Sequence, residues 1–230
     1  MTARLVLVRH GQASFGSPDY DLLSEIGRRQ SQLAGLALAA RLPRFDRVVS
    51  GSMRRHQETA AGCLSAMGHP ATWEKEDGWN EFDHEELIRV HEPRFANDTV
   101  LHREMALVPD AEVAFLTLFR AAFARWASGR HDGDYRETYT AFRTRVATAV
   151  SRAIASAGRS GSVLVFTSGG PIAAAVGDRL GLNPERMLSL AFRLANAGIT
   201  ELSARGDGIA VETLNDHAHL EGEAGLLTHR

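Results

Sequence analysis

Short apolar runs alternate with longer amphipathic segments over the first third of the chain. Residues 5–8 are continuously apolar and rich in β-branched side chains, which predicts a strand buried on both faces. Ser24 is a favourable N-cap, and it precedes a segment of helical periodicity. The predicted elements of this part are a strand over 5–8, a helix over about 24–41, a strand over 47–50, a helix from near 53 and a strand over 71–74. This alternation predicts parallel strands connected by helices.

The middle of the chain, roughly residues 82–133, has a different pattern. Charged residues, histidines and aromatic residues recur there at helical spacing. The aromatic stripe from Phe115 to Trp126 is better explained by packing than by a cofactor. We therefore predict a mostly helical insert, followed by a long helix over about 137–157.

The last third returns to the strand pattern. Residues 163–166 predict another buried strand, and Pro171 lies near the first turn of the helix after it. Residues 199–202 and 209–214 flank a glycine-bearing turn, which predicts an antiparallel pair. Together these elements predict a single α/β domain over 1–230. We expect a three-layer sandwich with a mostly parallel sheet and a helical insert over the functional site.

Length and composition narrow the classes of protein. A chain of 230 residues can bury one substantial core, and its net charge of -2 gives no reason to expect nucleic acid or a membrane as partner. The single cysteine, Cys63, cannot form an internal disulfide, which fits a reducing compartment. No apolar stretch is long enough to span a bilayer, and the N-terminus has no signal-peptide pattern. We expect a cytoplasmic protein, and the sequence leaves its oligomeric state open.

Three polar clusters follow the first three predicted strands. They are Arg9-His10-Gly11, residues 50–59 (SGSMRRHQET) and residues 79–84 (WNEFDH). Because the carboxyl ends of parallel strands meet at one edge of a sheet, we expect the clusters to converge there. Arginine binds phosphate bidentately, neutral imidazole can attack phosphorus, and a carboxylic acid can protonate a leaving oxygen. This inventory indicates phosphoryl transfer.

The ordered series of motifs resembles the histidine phosphatase superfamily, which includes the cofactor-dependent phosphoglycerate mutases. The resemblance rests on Arg9-His10-Gly11, residues 23–30 (LSEIGRRQ), residues 50–54 (SGSMR), Asn80-Glu81, Glu137, Arg145, residues 196–200 (NAGIT) and residues 215–220. It implies that His10 is the nucleophile and becomes a phosphohistidine. It also implies that Arg9 and Arg54 bind the phosphoryl oxygens, that Glu81 is the proton donor, and that neither a metal nor a cofactor is needed.

Two of these assignments have close alternatives. Arg55 lies beside Arg54, and Asp83 or Glu85 lies close enough to Glu81 to be the acid instead. For His10, the field of neighbouring arginines favours the neutral imidazole by lowering its pKa.

The chain departs from the family pattern at two positions. The family's second histidine, which precedes a glycine after the later strand, is replaced by Ser168, followed here by Gly169. A serine hydroxyl supplies a hydrogen bond without charge, so the replacement is expected to cost about 1–3 kcal/mol. Gly16 stands where many members carry an asparagine that contacts phosphate.

We expect other groups to compensate. His84 is the preferred substitute for the missing histidine, ahead of His217 and His219, and Gln12 or Ser14 is a candidate for the role of the asparagine. Two roles remain open for Ser168: binding phosphate together with Gly169 at a helix N-terminus, or capping that helix.

The sequence thus predicts a metal-independent phosphatase that acts on a small phosphorylated substrate through a phosphohistidine. A phosphoglycerate mutase-like phosphomutase is the alternative enzyme. A non-catalytic binder of phosphorylated ligands is the alternative outside enzymes. The natural substrate is not specified by the sequence.

Overall fold

The computed structural model describes residues 2–14, 21–42, 44–206 and 208–229. The strands are β1 (Arg4–Arg9), β2 (Arg47–Ser50), β3 (Glu74–Lys75), β4 (Ser162–Thr167), β5 (Ile199–Arg205) and β6 (Gly208–Asp216). The helices are α1 (Glu25–Arg41), α2 (Arg54–Met67), α3 (His84–His91), α4 (Asp98–Met105), α5 (Ala111–Ala127), α6 (Tyr139–Ser156), α7 (Gly169–Leu180) and α8 (Pro184–Arg193). Within these described ranges, no helix is both long and apolar enough to cross a membrane.

The strands form one mixed sheet in the order β3-β2-β4-β1-β5-β6. β1, β2 and β3 run parallel to the central β4, whereas β5 is antiparallel to β1 and β6 is antiparallel to β5. Val8 of β1 and Ser50 of β2 both pair with Phe166 of β4, so these three strands end at the same level. The mostly parallel α/β sheet with a late antiparallel pair is confirmed, and one edge of the sheet receives the residues after β1, β2 and β4.

Both faces of the sheet are buried, as the continuous apolar strands predict. On one face, Val6 and Phe166 pack with Leu38 of α1 and Leu64 of α2. The side chains that point to the other face, such as Leu7, are equally buried, and α7 packs against β1. Burial on both sides holds β1 and β4 rigidly and therefore fixes the level at which their polar ends emerge.

Capping fixes the start of α1 where the sequence predicts it. Ser24 is the N-cap, and its hydroxyl accepts a hydrogen bond from the backbone N–H of Gly27. The loop before the helix is tied to the same cap, because the Ser24 hydroxyl donates to the side chain of Gln12 at 2.8 Å. The start of α1 is thus anchored to the chain that leaves β1.

One local prediction was wrong. The third strand is shorter and later than residues 71–74, because a turn in which Thr72 N–H donates to the Pro70 carbonyl leaves only Glu74–Lys75 to pair with β2. His217 and His219 lie in and before a short helical turn that follows β6. Asn215, at a positive φ of 54°, precedes that turn near the end of β6.

The chain divides into two compact units. The first comprises Met1–Glu81 and Val146–Arg230, and the second is Phe82–Arg145. The second unit begins where the sequence places the start of the insert, and its helices α3, α4 and α5 agree with the predicted helical character. Its interior is aromatic: the ring of Phe82 lies 5.1 Å from Trp126 and 5.4 Å from Phe142, measured between centroids.

Candidate active site

His10 lies directly after β1 and is held by its backbone. Its N–H donates to the Thr167 carbonyl on β4 at 2.8 Å, and its own carbonyl accepts from the side-chain amide of Asn196 at 3.2 Å. The N–H of Ala197 also points at this carbonyl, at 3.2 Å. Two flanking segments therefore fix the main chain of His10. None of these hydrogen bonds uses the imidazole ring.

The imidazole of His10 has a defined tautomer. Its Nδ1 lies 2.8 Å from the carbonyl oxygen of Gly11. A carbonyl oxygen only accepts hydrogen bonds, so Nδ1 carries the proton and the lone pair of the neutral ring is on Nε2. The atom presented for attack is therefore Nε2.

His10 is also kept neutral. Burial is the largest cause that lowers its pKa well below the ordinary value of 6.5, and the charges of Arg55 and Arg9 lower it further. The hydrogen bond to Gly11 opposes these effects without cancelling them. A neutral buried imidazole in the field of two guanidinium groups is a nucleophile placed where an anion is attracted.

Gly11 permits the close approach of this loop to α1. A Cβ at Gly11 would lie 2.3 Å from the carbonyl oxygen of Gly27, closer than any tolerable contact. The Gly11 N–H donates to the hydroxyl of Thr59 on α2 at 3.0 Å. The glycine after the histidine is therefore required by packing and is fixed between two helices.

Arg9 is a buried cation at the same sheet edge. Its guanidinium donates to the carbonyl of Leu194 and lies 3.4 Å from that of His229. A Cβ at Gly169 would lie 3.6 Å from Nε of Arg9, so the start of α7 packs against this guanidinium. The structure therefore brings the predicted phosphate ligands Arg9 and Gly169 together.

The two adjacent arginines of α2 differ sharply. The Arg54 side chain is 57% exposed and pairs with Glu58, whereas the Arg55 side chain is 6% exposed and donates to Asp21 at 2.7 Å. It is the charge of Arg55 that acts on His10. The second cation whose charge acts on His10 is therefore Arg55, and phosphate binding by the exposed Arg54 stays a prediction.

The periodicity of α2 contains the information that separates these arginines. Its buried positions form a stripe of pairs four residues apart: Arg55, His56, Thr59, Ala60, Cys63 and Leu64. Extending the apolar stripe backwards along the helix predicts that positions 55 and 56 face inward. The motif alone left Arg55 as an alternative to Arg54 and did not single out His56.

Glu81 joins the site through the start of α7. Its Oε2 accepts a hydrogen bond from the N–H of Gly170 at 2.9 Å. The preceding chain is fixed from the same direction, because the Thr167 hydroxyl donates to the Trp79 carbonyl at 2.6 Å. These contacts bring the carboxyl of Glu81 next to the segment that carries Ser168.

Ser168 does not cap α7 with its side chain. It occupies the N-cap position, but its hydroxyl makes no capping hydrogen bond; instead it lies 2.6 Å from Nε2 of His56. His56 is completely buried, and its ring centroid is 5.8 Å from that of His10. The histidine that reaches Ser168 is thus His56, which the sequence analysis did not single out.

The remaining predicted ligands have other placements. Gln12 uses its side-chain oxygen to accept from Ser24, and the Ser14 N–H donates to the Leu22 carbonyl. Gly16 lies outside the described residues. His84 is the first residue of α3 in the second unit, so its proximity to His10 stays a prediction.

The sequence matches the family model of the histidine phosphatase superfamily (branch 1) over residues 5–98 and 107–217. The chain therefore belongs to this superfamily. No curated protein matches the sequence significantly.

Solved structures share the fold at low sequence identity. Phosphoglycerate mutase from Bacillus anthracis is 19% identical, covers 95% of each chain and superposes with a TM-score of 0.64. A mycobacterial glucosyl-3-phosphoglycerate phosphatase is 20% identical, with coverage of 94% of this chain and 99% of the other and a TM-score of 0.62. Phosphoserine phosphatase from Entamoeba histolytica is 16% identical, with coverage of 95% and 99% and a TM-score of 0.60. At these identities the likeness concerns the fold.

Proposed function

We propose that this protein is a metal-independent phosphatase that hydrolyses a small phosphomonoester through a phosphohistidine on His10. The observation that carries the proposal is the state of His10: neutral, protonated at Nδ1, and flanked by the charges of Arg9 and Arg55. Membership of the superfamily and the names of its structural neighbours, which include both phosphatases and a mutase, support the same chemistry.

The first step transfers the phosphoryl group to the protein. Nε2 of His10 attacks phosphorus while the bond between phosphorus and the ester oxygen breaks, and Arg55 and Arg9 attract the phosphoryl oxygens. Glu81 acts as the general acid and gives a proton to the departing alkoxide, so the alcohol leaves neutral.

The second step releases phosphate. The Glu81 carboxylate takes a proton from water as the water oxygen attacks phosphorus, and the bond between phosphorus and Nε2 breaks. His10 returns to its neutral form with the proton still on Nδ1, and Glu81 is again protonated. The sum is phosphomonoester plus water giving alcohol plus inorganic phosphate.

The test is direct detection of the intermediate. Purified protein is mixed with p-nitrophenyl phosphate, phosphoserine and glucosyl-3-phosphoglycerate, quenched at short times and assayed for an acid-labile phosphoryl group on His10. We expect labelling and phosphate release with at least one substrate, both lost in His10→Ala and kept in His69→Ala. Turnover without a label on His10 would overturn the mechanism.

The same assay separates the alternatives. A phosphomutase, the activity in the name of the Bacillus anthracis neighbour, would pass the phosphoryl group from His10 back to a second hydroxyl and release little free phosphate. A binder would show neither label nor release but would retain affinity for phosphate in His10→Ala.

A further inference from the structure

His56 and Ser168 form a buried polar pair next to the nucleophile. The 2.6 Å between Nε2 and Oγ is a short hydrogen bond, and the two residues are 0% and 1% exposed. They are 112 positions apart in the sequence, on α2 and at the end of β4. A buried hydrogen bond between residues so far apart in sequence forms only if α2 and the end of β4 are held next to each other.

The position of this pair is tied to the site on both sides. The His56 ring is 5.8 Å from the His10 ring between centroids. The residue before His56 is Arg55, and the residues after Ser168 include Gly170, whose N–H holds Glu81. The pair therefore lies among the groups that the proposed reaction uses.

Space around the ring is restricted. A Cβ at Gly51 would lie 2.2 Å from Nδ1 of His56, so the chain after β2 passes directly against this edge of the ring. Among the described residues, no group makes a hydrogen bond with Nδ1. The hydrogen bond to Ser168 is therefore what fixes the polar edge of this imidazole.

We propose that His56 is a positioning residue for Ser168: its Nε2–H donates to Oγ, which turns the serine hydroxyl proton toward a phosphoryl oxygen held at His10. The inference rests on the proposed function and goes beyond it, since it assigns a substitute for the family's second histidine. Ser168 is the group that touches the phosphoryl oxygen, and His56 acts through it.

The chemistry of the hydroxyl explains why the direction of this bond matters. Serine has one proton to donate. If Ser168 donated to His56, only lone pairs would face a phosphoryl oxygen, and the contact would be repulsive. If His56 donates, the hydroxyl proton is free for phosphate, and the two hydrogen bonds in series polarise one another.

Two causes hold the pKa of His56 well below 6.5. The larger is burial of the ring, and the second is the charge of Arg55. The ring is consequently neutral and carries a single N–H, which the proposal assigns to Nε2. This neutrality also avoids a third buried positive charge beside Arg55 and Arg9, which already attract the phosphoryl oxygens.

The experiment measures kcat and KM for four variants. We expect His56→Ala and Ser168→Ala each to lower kcat by about 10- to 100-fold with a smaller change in KM, the loss of a hydrogen bond that strengthens in the transition state. The kcat of the double variant His56→Ala/Ser168→Ala should be within about threefold of the kcat of the less active single variant, because both changes remove the same hydrogen-bonded pair. His56→Gln, whose amide can donate to Oγ, should recover part of the loss.

An exchange of residues sharpens the test. His56→Ala/Ser168→His vacates the space on α2 and places an imidazole at the position where the family carries one. We expect the kcat of this variant to be about tenfold higher than that of His56→Ala alone. The matched controls are His69→Ala, after α2, and Ser162→Ala, at the opposite end of β4; both should keep the parent kcat.

Three outcomes would overturn the pairing. They are unchanged kcat in folded His56→Ala, losses that multiply in the double variant, and imidazole nitrogen NMR that finds the proton of His56 on Nδ1. The NMR measurement reports the tautomer in the unmodified protein, so it does not depend on whether a variant folds.

Failure of the pairing and failure of the proposed function are distinguishable. If the parent protein labels His10 and the variants keep full kcat, the pairing is wrong and the function stands. If the parent forms no phosphohistidine but binds orthovanadate, and Ser168→Ala and His56→Ala both weaken that binding, the pairing stands and the hydrolytic function falls. Absence of both label and vanadate binding overturns both.

Discussion

The two units of the chain bury different kinds of side chain. Around the ends of β1 and β4, the first unit buries an imidazole pair, two arginines and a serine, each fixed by specific hydrogen bonds. The second unit buries aromatic rings, and its charged pairs keep at least one partner exposed, as in the pairs of Arg136 with Glu86 and of Arg125 with Asp134. Buried polar groups are costly unless each is satisfied, whereas buried rings stabilise through area. Substitutions that change one charge or one small group should therefore have large effects in the first unit. In the second unit, the large effects should come from removing an aromatic ring.

The largest effect is expected in the aromatic interior. Trp126 lies 5.1 Å from Tyr139 and 5.7 Å from Phe123 between ring centroids, and its Nε1–H donates to the Glu137 carbonyl. Trp126→Ala leaves a cavity and an unpaired carbonyl, so we expect the free energy of unfolding to fall by about 3–5 kcal/mol. Urea denaturation measures it. Leu107→Ala, at a 79% exposed site in the same unit, should change it by less than about 0.5 kcal/mol. Similar losses in the two variants would contradict the contrast between the units.

The next effect separates the adjacent arginines and concerns activity. Arg55→Ala removes a buried cation beside His10, so kcat/KM should fall by about 100- to 1000-fold, or about 3–4 kcal/mol of transition-state stabilisation. Arg54→Ala removes an exposed partner of Glu58 and should change kcat/KM by no more than about twofold. Steady-state kinetics measures kcat/KM of both variants, with the substrate that gives the highest turnover in the phosphohistidine assay. A larger loss in Arg54→Ala would restore the assignment made from the sequence motif.

The sequence predicted where the polar residues of the first unit emerge from the sheet, because the ends of apolar strands can be located from the hydrophobic pattern. The apolar run before Arg9 and the one before Ser168 are confirmed as β1 and β4, and residues that follow parallel strands emerge at one edge. The family motif likewise led to His10 and Glu81. These inferences needed only local patterns and their order along the chain.

The pairing of His56 with Ser168 was not predictable in the same way. It depends on β2 lying beside β4, an adjacency between segments far apart in sequence that local periodicity does not specify. The sequence favoured His84 as the compensating histidine instead, because it is close in sequence to Glu81. The choice between Arg54 and Arg55 was within reach of the helical periodicity of α2.

A steric test compares two glycines, one in each unit. Gly11→Ala places a Cβ 2.3 Å from the backbone of Gly27, whereas Gly133 has open space around it and no left-handed backbone. We expect Gly11→Ala to lower the free energy of unfolding by about 1–3 kcal/mol, because α1 and the loop must move apart. Gly133→Ala should be within about 0.5 kcal/mol of the parent. A stable Gly11→Ala variant would mean that the close contact between the loop and α1 is not required for folding.

The last effect is a dependence of stability on pH that originates in the first unit. The pKa values of His10 and His56 lie well below 6.5 in the folded protein, chiefly because both rings are buried. In the unfolded chain both take up protons as the pH falls through about 6.5, while the folded protein does not, so unfolding becomes easier as the pH falls. Each buried imidazole adds up to about 1.4 kcal/mol per pH unit over this window.

Urea denaturation between about pH 7.5 and pH 5 measures this slope, above the range in which carboxylates titrate. His219, whose pKa burial also lowers, contributes in the same direction and is present in every variant. The informative quantity is therefore the difference between the parent and His56→Leu, which lacks one titrating ring. We expect the slope of the variant to be smaller by up to one proton, whatever its absolute stability. An unchanged slope would mean that His56 takes up its proton over the same pH range in the folded protein as in the unfolded chain, so that the folded ring would become charged beside Arg55 below about pH 6.5.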